Sequence, residues 1–418
     1  MRLHLPPSLR HRKFVLLWSG LTISVAGSRM QFFAMLWHIS TLTDRPIALG
    51  LVGAVRLIPI AGLSLVAGAL ADTFDRRKIL FVTQSIQTAV AFALGLLTLS
   101  GQVELWHLYL LTFIEACAQA FDLPARQSLV PNLVPAADLP NAFSMMSIAF
   151  TVASIAGPAL SGWILAAPDL GQPYTYLING FTYFGMLFAI VAIGAVPQER
   201  STKPKPVGRA AIREGIDFIR QHPIILSSMV LDFVATFFSS ASALLPIYAR
   251  DILHVDAIGY GWLSSAQAVG SSLAGLVVSQ MHEIKRQGPV LLASVAVYGL
   301  ATILFGFASV FWLSFVALAL VGAGDSVSTI IRNTIRQLRT PDQLRGRMTS
   351  VNQLFFIGGP QLGEFEAGLA ADLFGPVVAV VTGGVGCLLG VYWVVRRWPE
   401  IATYTGELPP APTPAIAN

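Results

Sequence analysis

The chain has 418 residues, of which 54% are hydrophobic and only 12% are charged. A soluble domain carries roughly 25% charged residues, so this composition excludes a soluble enzyme, a disordered scaffold and a disulfide-stapled secreted domain. Two cysteines, both in apolar runs, form no framework of bridges. Twelve spans of about 20 residues would use ~240 residues and leave enough for loops and tails.

Apolar runs of spanning length follow one another along the chain. They lie near 14–41, 47–71, 79–100, 106–127, 139–166, 173–196, 224–249, 257–280, 289–308, 311–333, 347–371 and 375–396. The first run lacks a small-residue cleavage site, so it is interpreted as a spanning helix and not as a removable signal. The chain is therefore predicted to be an all-α membrane protein with twelve transmembrane helices.

Polar stretches divide the chain into four predicted segments. These are an N-terminal six-helix bundle at 1–196, a cytoplasmic basic linker at 197–223, a C-terminal six-helix bundle at 224–397 and a disordered cytoplasmic tail at 398–418. A short surface helix is expected in the linker, over 209–220. The tail is rich in proline and alanine, which is typical of a segment that buries little apolar surface.

The cations indicate the orientation of the chain. Most of its 27 lysines and arginines fall in loops on the side of the N-terminus, whereas the opposite loops hold Arg45 and Arg250. Positive loops stay cytoplasmic, so both termini are predicted to lie inside the cell, in a chain that spans the inner membrane. The net charge of +5 is thus a topology signal. This charge pattern predicts no nucleic-acid partner. The lipid bilayer is the expected partner of the basic loops.

The two halves of the sequence resemble each other. A shift of 206 residues superposes Arg126 on Arg332, Gly157 on Gly363 and Gly162 on Gly368, and a shift of 207 places Gly68 on Gly275. The common offset predicts two bundles related by duplication, with a central cavity between them.

A charged motif follows the second run. It reads Gly68-Ala-Leu-Ala-Asp72-Thr-Phe-Asp75-Arg76-Arg77-Lys-Ile-Leu80. A carboxylate at the C-terminal end of a helix, as at Asp72, needs a cation because the helix dipole disfavours it. Arg76 and Arg77 are candidates to pair with Asp72 or with another helix end, as a cytoplasmic gate. An anchor loop that only fixes the orientation is the alternative.

This motif resembles the loop 2–3 signature of the major facilitator superfamily, G-x-L-A-D-R-x-G-R-K-x-x-L. Thr73 and Asp75 depart from it, and Asp75 is similar to the F-D-R-R pattern of the branch that contains the enterobactin exporter and related drug efflux proteins. The resemblance implies the major facilitator fold of two pseudo-symmetric six-helix bundles, with helices 1, 4, 7 and 10 around the cavity. It also implies a monomer without a cofactor.

The fifth run resembles the antiport motif of the same superfamily, G-x-x-x-G-P-x-x-G-G. Its matching residues are Gly157, Pro158 and Gly162, while Ala153 and Ser161 replace two glycines. Small residues and a proline predict a thin, bendable helix face, and Gly363 repeats the pattern in the second half. Ordinary small-residue packing is the alternative.

Ionisable side chains inside apolar runs cost about 2.5–3.5 kcal/mol each and are therefore functional candidates. The fourth run carries Glu115, Gln119, Asp122 and Arg126 on one helical face. The tenth run repeats this stripe with Asp325, Thr329, Arg332 and Arg336. The first and seventh runs add Arg29 and Asp232.

Glu115 is the first candidate for proton coupling, with Arg29 and Gln119 beside it in the cavity and with Asp232 and Asp325 as further candidates. The four-residue spacing of Asp122 and Arg126 predicts an ion pair that is part of a cytoplasmic gate. Arg332 is the repeat-related counterpart of Arg126 and is assigned to the same gate. A purely structural ion pair and arginines that anchor helix ends are the alternatives.

Three further charges inside the runs need partners. They are Arg56 in the second run and the glutamates Glu364 and Glu366 in the eleventh. Side chains two residues apart on a helix point in nearly opposite directions, so one of the two glutamates at most can face a given cavity. An Arg–Glu pair between the helices is a hypothesis.

No glycine is followed by lysine, so the sequence has no Walker A phosphate loop. The predicted function is secondary active export of a small amphipathic compound (a drug or siderophore-like molecule) by proton antiport through alternating access. Uptake of a small solute is the alternative. An intramembrane aspartyl protease is a remote one, because Gly322-Ala-Gly324-Asp325 resembles its motif. The order of the protease motifs is reversed here and the Tyr-Asp pair is missing, so no enzyme is predicted.

Overall fold

The computed structural model describes residues 6–197, 209–281 and 284–406, and nearly all of them are helical. The first set of helices is α1 (Arg12–Leu42), α2 (Pro46–Thr73), α3 (Arg76–Leu99), α4 (Leu105–Leu129), α5 (Leu139–Ala166) and α6 (Gly171–Ile193). The chain continues with α7 (Arg209–Gln221), α8 (Pro223–Phe238), the three-residue α9 (Leu245–Ile247), α10 (Ala257–Ser279), α11 (Gln287–Phe307), α12 (Phe311–Arg339), α13 (Asp342–Phe374), α14 (Pro376–Arg397) and α15 (Glu400–Thr403). Helices α8 to α14 are called the second set. The all-helical prediction is confirmed.

Eight helical stretches of the described chain are long and apolar enough to cross a membrane: α2, α3, α5, α6, α8 with the turns after it, α11, α12 and α14. The other long helices are α1, α4, α10 and α13, which have 31, 25, 23 and 33 residues. They are less apolar because they carry charged residues, such as Glu115 and Glu364, or many serines and glycines. Polar groups are therefore concentrated in a few of the long helices.

Local sequence signals set several helix ends. The carboxylate of Asp75 caps α3 by accepting the backbone N–H of Arg77 at 3.0 Å. Gly375 has a φ of 88° and ends α13, and Pro376 begins α14 at the position where its missing N–H is least costly.

The apolar run at 224–249 lies within one candidate membrane span, Pro223–Ile252, but that span is not a single continuous helix. Helix α8 ends at Phe238, and a 3₁₀ turn at Ala241–Leu244, α9 and a π turn at Tyr248–Ile252 follow. Ser239 and Ser240 interrupt the apolar run, and Pro246 has no N–H to continue the ladder of hydrogen bonds. Hydropathy does not register these breaks.

The tail is not disordered at its start, so that prediction is wrong for 398–406. Ile401 and Tyr404 are buried beside α11, and the Gly288 N–H donates to the Tyr404 carbonyl at 2.9 Å. These two apolar side chains anchor the segment. The remainder of the tail, 407–418, and the part of the linker at 198–208 lie outside the described residues. The expected linker helix is present as α7 and packs against α8 and α13.

Two extensive helix contacts join the two sets in the described part of the chain. Within the first set, α1 packs against α5 and α6, and α3 against α4 and α6; within the second set, α12 packs against α10 and α11, and α13 against α8. Across the sets, α2 packs against α13 and α5 packs against α10. We call these two contacts the seams.

The largest apolar cluster unites both sets at one end of the molecule, called the sealed end, where α1 finishes and α2 and α10 begin. Its members include Met35, Ile39 and Leu49 of the first set with Leu245, Tyr248 and Leu263 of the second. At the opposite end, called the open end, the clusters of described residues contain one set each: Phe14, Leu80 and Leu129 in the first, and Leu291, Ile331 and Val394 in the second. Burial of apolar surface therefore holds the two sets together at the sealed end.

Candidate functional site

Glu115 lies in a polar network at the middle of the first set. Its Oε2 accepts a hydrogen bond from Gln31 Nε2 at 3.0 Å, and Gln31 Oε1 accepts one from Asn179 Nδ2 at 2.9 Å. Gln31 and Asn179 are both buried. The network links α1, α4 and α6, and it fixes the Glu115 carboxyl toward the interior of the set.

Arg56 of α2 lies between carboxyl groups of the two sets. One of its terminal nitrogens donates to Gln119 Oε1 at 3.3 Å, and the guanidinium lies 4.6 Å from the centre of the Phe32 ring. Its charge acts on Glu115 of α4 and on Glu364 of α13. Among the described residues no ion pair within 4 Å joins Arg56 to Glu364, so the Arg–Glu pair between helices stays a prediction. Glu364 is buried, whereas Glu366, two residues on, is half-buried.

Arg29 lies near the midpoint of α1. The residue is exposed, yet protein atoms crowd its guanidinium, and the charge of Arg56 acts on it. A side chain that is both accessible and surrounded by protein faces an internal space. Arg29, Arg56, Glu115 and Gln119 therefore surround one region, in accord with the grouping predicted from the sequence for Arg29, Glu115 and Gln119.

Toward the open end, Asp122 and Arg126 of α4 form a buried ion pair one helical turn apart. The same carboxylate accepts hydrogen bonds from Gln84 Nε2 at 2.8 Å and from Thr83 Oγ1 at 3.3 Å, both on α3. The guanidinium of Arg126 also lies 5.8 Å from the centre of the Phe150 ring on α5. The pair predicted from the four-residue spacing exists, and it ties α3 and α5 to α4.

In the second set, Arg332 of α12 forms a buried ion pair with Asp232 of α8. A second carboxylate, Asp325, lies 3.7 Å from Arg332, and its side chain is 47% exposed. Thr329 Oγ1 accepts a hydrogen bond from Arg332 at 2.7 Å. Asp232, Tyr298 and Asp325 line a cavity of about 10 Å³, which holds about one water molecule.

The charged motif after α2 contacts helix ends. Arg77 donates two hydrogen bonds, at 3.3 and 3.0 Å, to the carbonyl of Ile190 near the end of α6. Arg76 donates to Asn132 Oδ1 at 2.9 Å, and Asp75 caps α3. The sequence predicts that the arginines pair either with Asp72 or with another helix end. Arg77 contacts a helix end, that of α6. The side chain of Asp72 lies outside the described residues.

The small residues of the fifth run lie at helix crossings. A Cβ added at Gly157 would come within 2.7 Å of Arg29 Cβ on α1. Pro158 lies on the α10 side of α5, where its carbonyl approaches Gly261. A Cβ at Gly162 would lie 3.0 Å from Gly261 Cα on α10, and one at Gly363 would lie 2.3 Å from the Phe237 carbonyl on α8.

Repeat-related glycines occupy both seams at the sealed end. Gly162 meets Gly261 where α5 crosses α10, and a Cβ added at Gly368 would lie 2.7 Å from Gly50 Cα where α13 crosses α2. Near the open end, a Cβ added at Gly68 or Gly275 meets no described neighbour within 4 Å. The seam glycines at the sealed end therefore have close backbone neighbours that Gly68 and Gly275 lack among the described residues.

Polar contacts across the sets add to the sealed end. Arg250 bonds to the Ser40 carbonyl and, at 3.1 Å, to Asp44, while Arg45 pairs with Asp372 at 2.8 Å. The Tyr260 hydroxyl donates to the Phe33 carbonyl at 2.9 Å.

The sequence did not predict the partners of Arg45, Arg250 and Glu115. From the sequence, Arg45 and Arg250 are orientation signals only, and neither Gln31 nor Asn179 is singled out. Two amide side chains inside the first and sixth apolar runs are a detectable signal, since buried amides need hydrogen-bond partners.

Comparisons with known proteins give the family. A family model described as transmembrane secretion effector matches residues 5–405. The multidrug efflux pump Tap of Mycolicibacterium fortuitum is 26% identical over 86% of this chain and 89% of its own length. The staphyloferrin A transporter of Staphylococcus aureus is 26% identical over 86% and 90%. The enterobactin exporter EntS of Escherichia coli is 24% identical over 78% and 77%.

Solved structures share the fold. A bacterial homologue of the human lysosomal transporter Spinster, inward-facing and unoccupied, superposes with a TM-score of 0.72 at 15% identity, covering 98% of this chain and all of that one. The nucleoside transporter NupG superposes with a TM-score of 0.69 at 13% identity, covering 94% of this chain and all of that one.

Proposed function

The chain belongs to the transmembrane secretion effector family of the major facilitator superfamily, and on that premise we propose that it exports a small amphipathic compound by proton antiport. The cargo class is a drug or a siderophore-like molecule. Relatives named as a multidrug efflux pump and as an enterobactin exporter support this class. Family and fold are those of transporters and not of enzymes.

The proposed architecture is twelve transmembrane helices in two bundles. Each set supplies six, with α8 and the broken segment after it counting as one span. The shift of 206 residues that superposes Gly162 on Gly368 also superposes their roles, since each closes one seam at the sealed end. A duplicated pair of bundles that meets along two equivalent seams can rock about them, as alternating access requires.

The proposed orientation places the open end in the cytoplasm. The open end carries the cations near the N-terminus and those of the loop after α2, including Arg12, Lys13 and Arg77. The sealed end carries Arg45 and Arg250, both paired with carboxylates. Because positive loops stay cytoplasmic, the proposal assigns both termini to the inside of the cell and makes this conformation inward-open.

The observation that carries the proposal is the group of charges from both sets beneath the sealed end. Arg56 of α2 donates to Gln119 of its own set at 3.3 Å, Glu115 accepts a hydrogen bond from Gln31 at 3.0 Å, and Glu364 of the other set is buried against α2. A proton bound to such a carboxyl changes the charge balance between the sets. It therefore favours one conformation over the other by the difference in its affinity for the two.

The experiment is efflux from proteoliposomes under an imposed pH gradient, with ethidium and a catecholate siderophore as probes. We expect wild-type protein to drive at least one probe against its gradient, and Glu115→Gln to abolish this while still binding the probe. Glu366→Gln is the matched control, since it removes a half-buried carboxylate of α13 that takes no part in the hydrogen-bond network of Glu115.

Three outcomes of that experiment contradict the proposal. Wild-type efflux in Glu115→Gln removes Glu115 from the mechanism. Gradient-driven accumulation in the same direction as proton flow indicates uptake by symport. Equal flux of a transported probe with and without the gradient indicates facilitated movement without proton coupling.

A further inference from the structure

Glu364 of α13 is a buried carboxyl within a seam. Its side chain is in contact with α2: a Cβ added at Gly53 would lie 2.9 Å from Glu364 Cβ. Only 8% of the residue is exposed. Glu364 therefore belongs to the second set but is enclosed by a helix of the first.

The two carboxyl oxygens of Glu364 have unequal surroundings. Oε1 accepts a hydrogen bond from Ser242 Oγ at 3.3 Å, on the 3₁₀ turn after α8. Oε2 is buried and has no hydrogen-bond partner among the described residues. An ionised carboxylate with an unpaired buried oxygen carries a large desolvation cost, whereas a protonated carboxyl avoids most of it.

Few charges face this carboxyl. On α2 the nearest is Arg56, which also interacts with Glu115 and with Arg29. On α8 the charged residue is Asp232, which is engaged by Arg332. The charges along α7 lie at the open end together with that helix, and those of α14 lie in its last turn; among the described side chains they are Arg213, Glu214, Asp217 and Arg220, and Arg396 and Arg397. On α13 itself, Glu366 points to another face, and Asp372 pairs with Arg45 at the sealed end.

We propose that Glu364 is a proton-binding site of the α2–α13 seam, protonated while the sealed end is closed. Ionisation of Glu364 favours opening of that end, because opening brings water to the oxygen that has no partner in the closed seam. The site deepens the proposed function on which it rests. A proton taken from outside favours closure of the sealed end, and its loss to the inside favours reopening, which is the order that antiport export requires.

The test measures a distance across the sealed end and needs no cargo. Spin labels are placed at Gln102 of the first set and Ser309 of the second, both exposed, after Cys117 and Cys387 are replaced by alanine. Electron–electron resonance distances are recorded in nanodiscs from pH 5 to pH 9. For one proton, the ratio of open to closed populations changes by about tenfold per pH unit at most.

We expect the long-distance population of otherwise wild-type protein to grow as the pH rises. Glu364→Gln, which mimics the protonated carboxyl, should hold the short distance at every pH. The control Glu366→Gln should follow the parent protein. Ser242→Ala removes the donor to Oε1, which favours the ionised form, and should move the midpoint of the transition to higher pH.

The proposal is overturned if Glu364→Gln titrates like the parent, or if the parent distances do not change with pH. Should Glu364→Gln fail to fold, an unchanged midpoint in Ser242→Ala overturns it. These outcomes are separate from those of the efflux assay. If pH-dependent opening is intact but proton-driven efflux is absent, the proposed function is refuted and the Glu364 site stands. If proton-driven efflux occurs without pH-dependent opening, the Glu364 site is refuted and the proposed function stands.

Discussion

Two repeat-related arginines hold the carboxylates of the two sets in different ways. Arg126 pairs with one carboxylate, Asp122, on its own helix. Arg332 pairs with Asp232 on α8 and has a second carboxylate, Asp325, at 3.7 Å. The shift of 206 residues that superposes the arginines places Ser328 on Asp122 and Asp325 on Gln119. The arginine is therefore present at the same position in both halves, whereas the carboxylates that pair with it are at different positions.

This difference separates a fixed ion pair from an adjustable one. Asp122 has one cation and two hydrogen-bond donors from α3, Thr83 and Gln84, so protonation of that carboxyl would weaken its contacts within α4 and with α3 at once. The second set has two carboxylates for one cation, and one of them can bind a proton while Arg332 remains paired. Asp325, which is half exposed beside a small cavity, is the accessible one.

Removal of the acid from the fixed pair should have the largest effect. In Asp122→Asn, Arg126 stays buried and has only uncharged partners, the new amide oxygen and the ring of Phe150, which are weaker than a carboxylate. Breaking a buried pair in this way costs about 3–5 kcal/mol of the free energy of unfolding. The measurement is the thermal midpoint in detergent, and Asp122→Leu/Arg126→Leu should recover part of the loss. An unchanged midpoint in Asp122→Asn would show that the pair is not a stabilising one.

The corresponding change in the second set should cost less. In Asp232→Asn, Arg332 retains Asp325 and the Thr329 hydroxyl, so we expect a loss of about 1–3 kcal/mol. The double variant Asp232→Asn/Asp325→Asn should lose more than the sum of the two single variants, because only the pair of changes strips the arginine of every carboxylate. Strict additivity in chemical unfolding would contradict the shared-cation arrangement.

One glycine from each end of the molecule allows the packing of the two ends to be compared. Gly162→Ala inserts a methyl group into the α5–α10 crossing and should destabilise the closed sealed end by about 1–3 kcal/mol. Gly275→Ala, for which an added Cβ meets no described neighbour within 4 Å, is the matched control. The distance between labels at Gln102 and Ser309 should lengthen in the first variant and stay unchanged in the second. Equal distances in both variants would argue against close packing at the seam.

The exposed ion pair at the sealed end should have the smallest effect. Arg250 contacts Asp44 at 3.1 Å, but the Asp44 side chain is 96% exposed. Asp44→Asn should therefore change the free energy of the closed state by less than about 1 kcal/mol, and less still at high salt. A distance change as large as that of Gly162→Ala would show that the seal depends on charge more than on packing.

The helices could be predicted from the sequence because apolar runs and loop cations are local properties. The break after Phe238 could not, since it depends on two serines whose cost is set by packing. Within the site, the Asp122–Arg126 pair follows from spacing along one helix, and its geometry is as predicted. Glu115 is paired with Gln31, and Arg332 is paired with Asp232, in each case on a different helix. These pairs depend on how two helices are rotated against each other, which residue spacing along one helix does not reveal. Only the existence of an unpaired charge, as at Arg56, is visible beforehand.

The apolar cluster shared by both sets makes the sealed end a single cooperative unit. Backbone amides at the end of α1 and the start of α10 should exchange with deuterated water together, and only when the whole cluster separates. At the opposite end each set has its own cluster, so amides there should exchange in two independent groups. A compound that binds across the closed face from outside would therefore slow amides in both sets at once, and exchange mass spectrometry could find such inhibitors without any knowledge of the cargo.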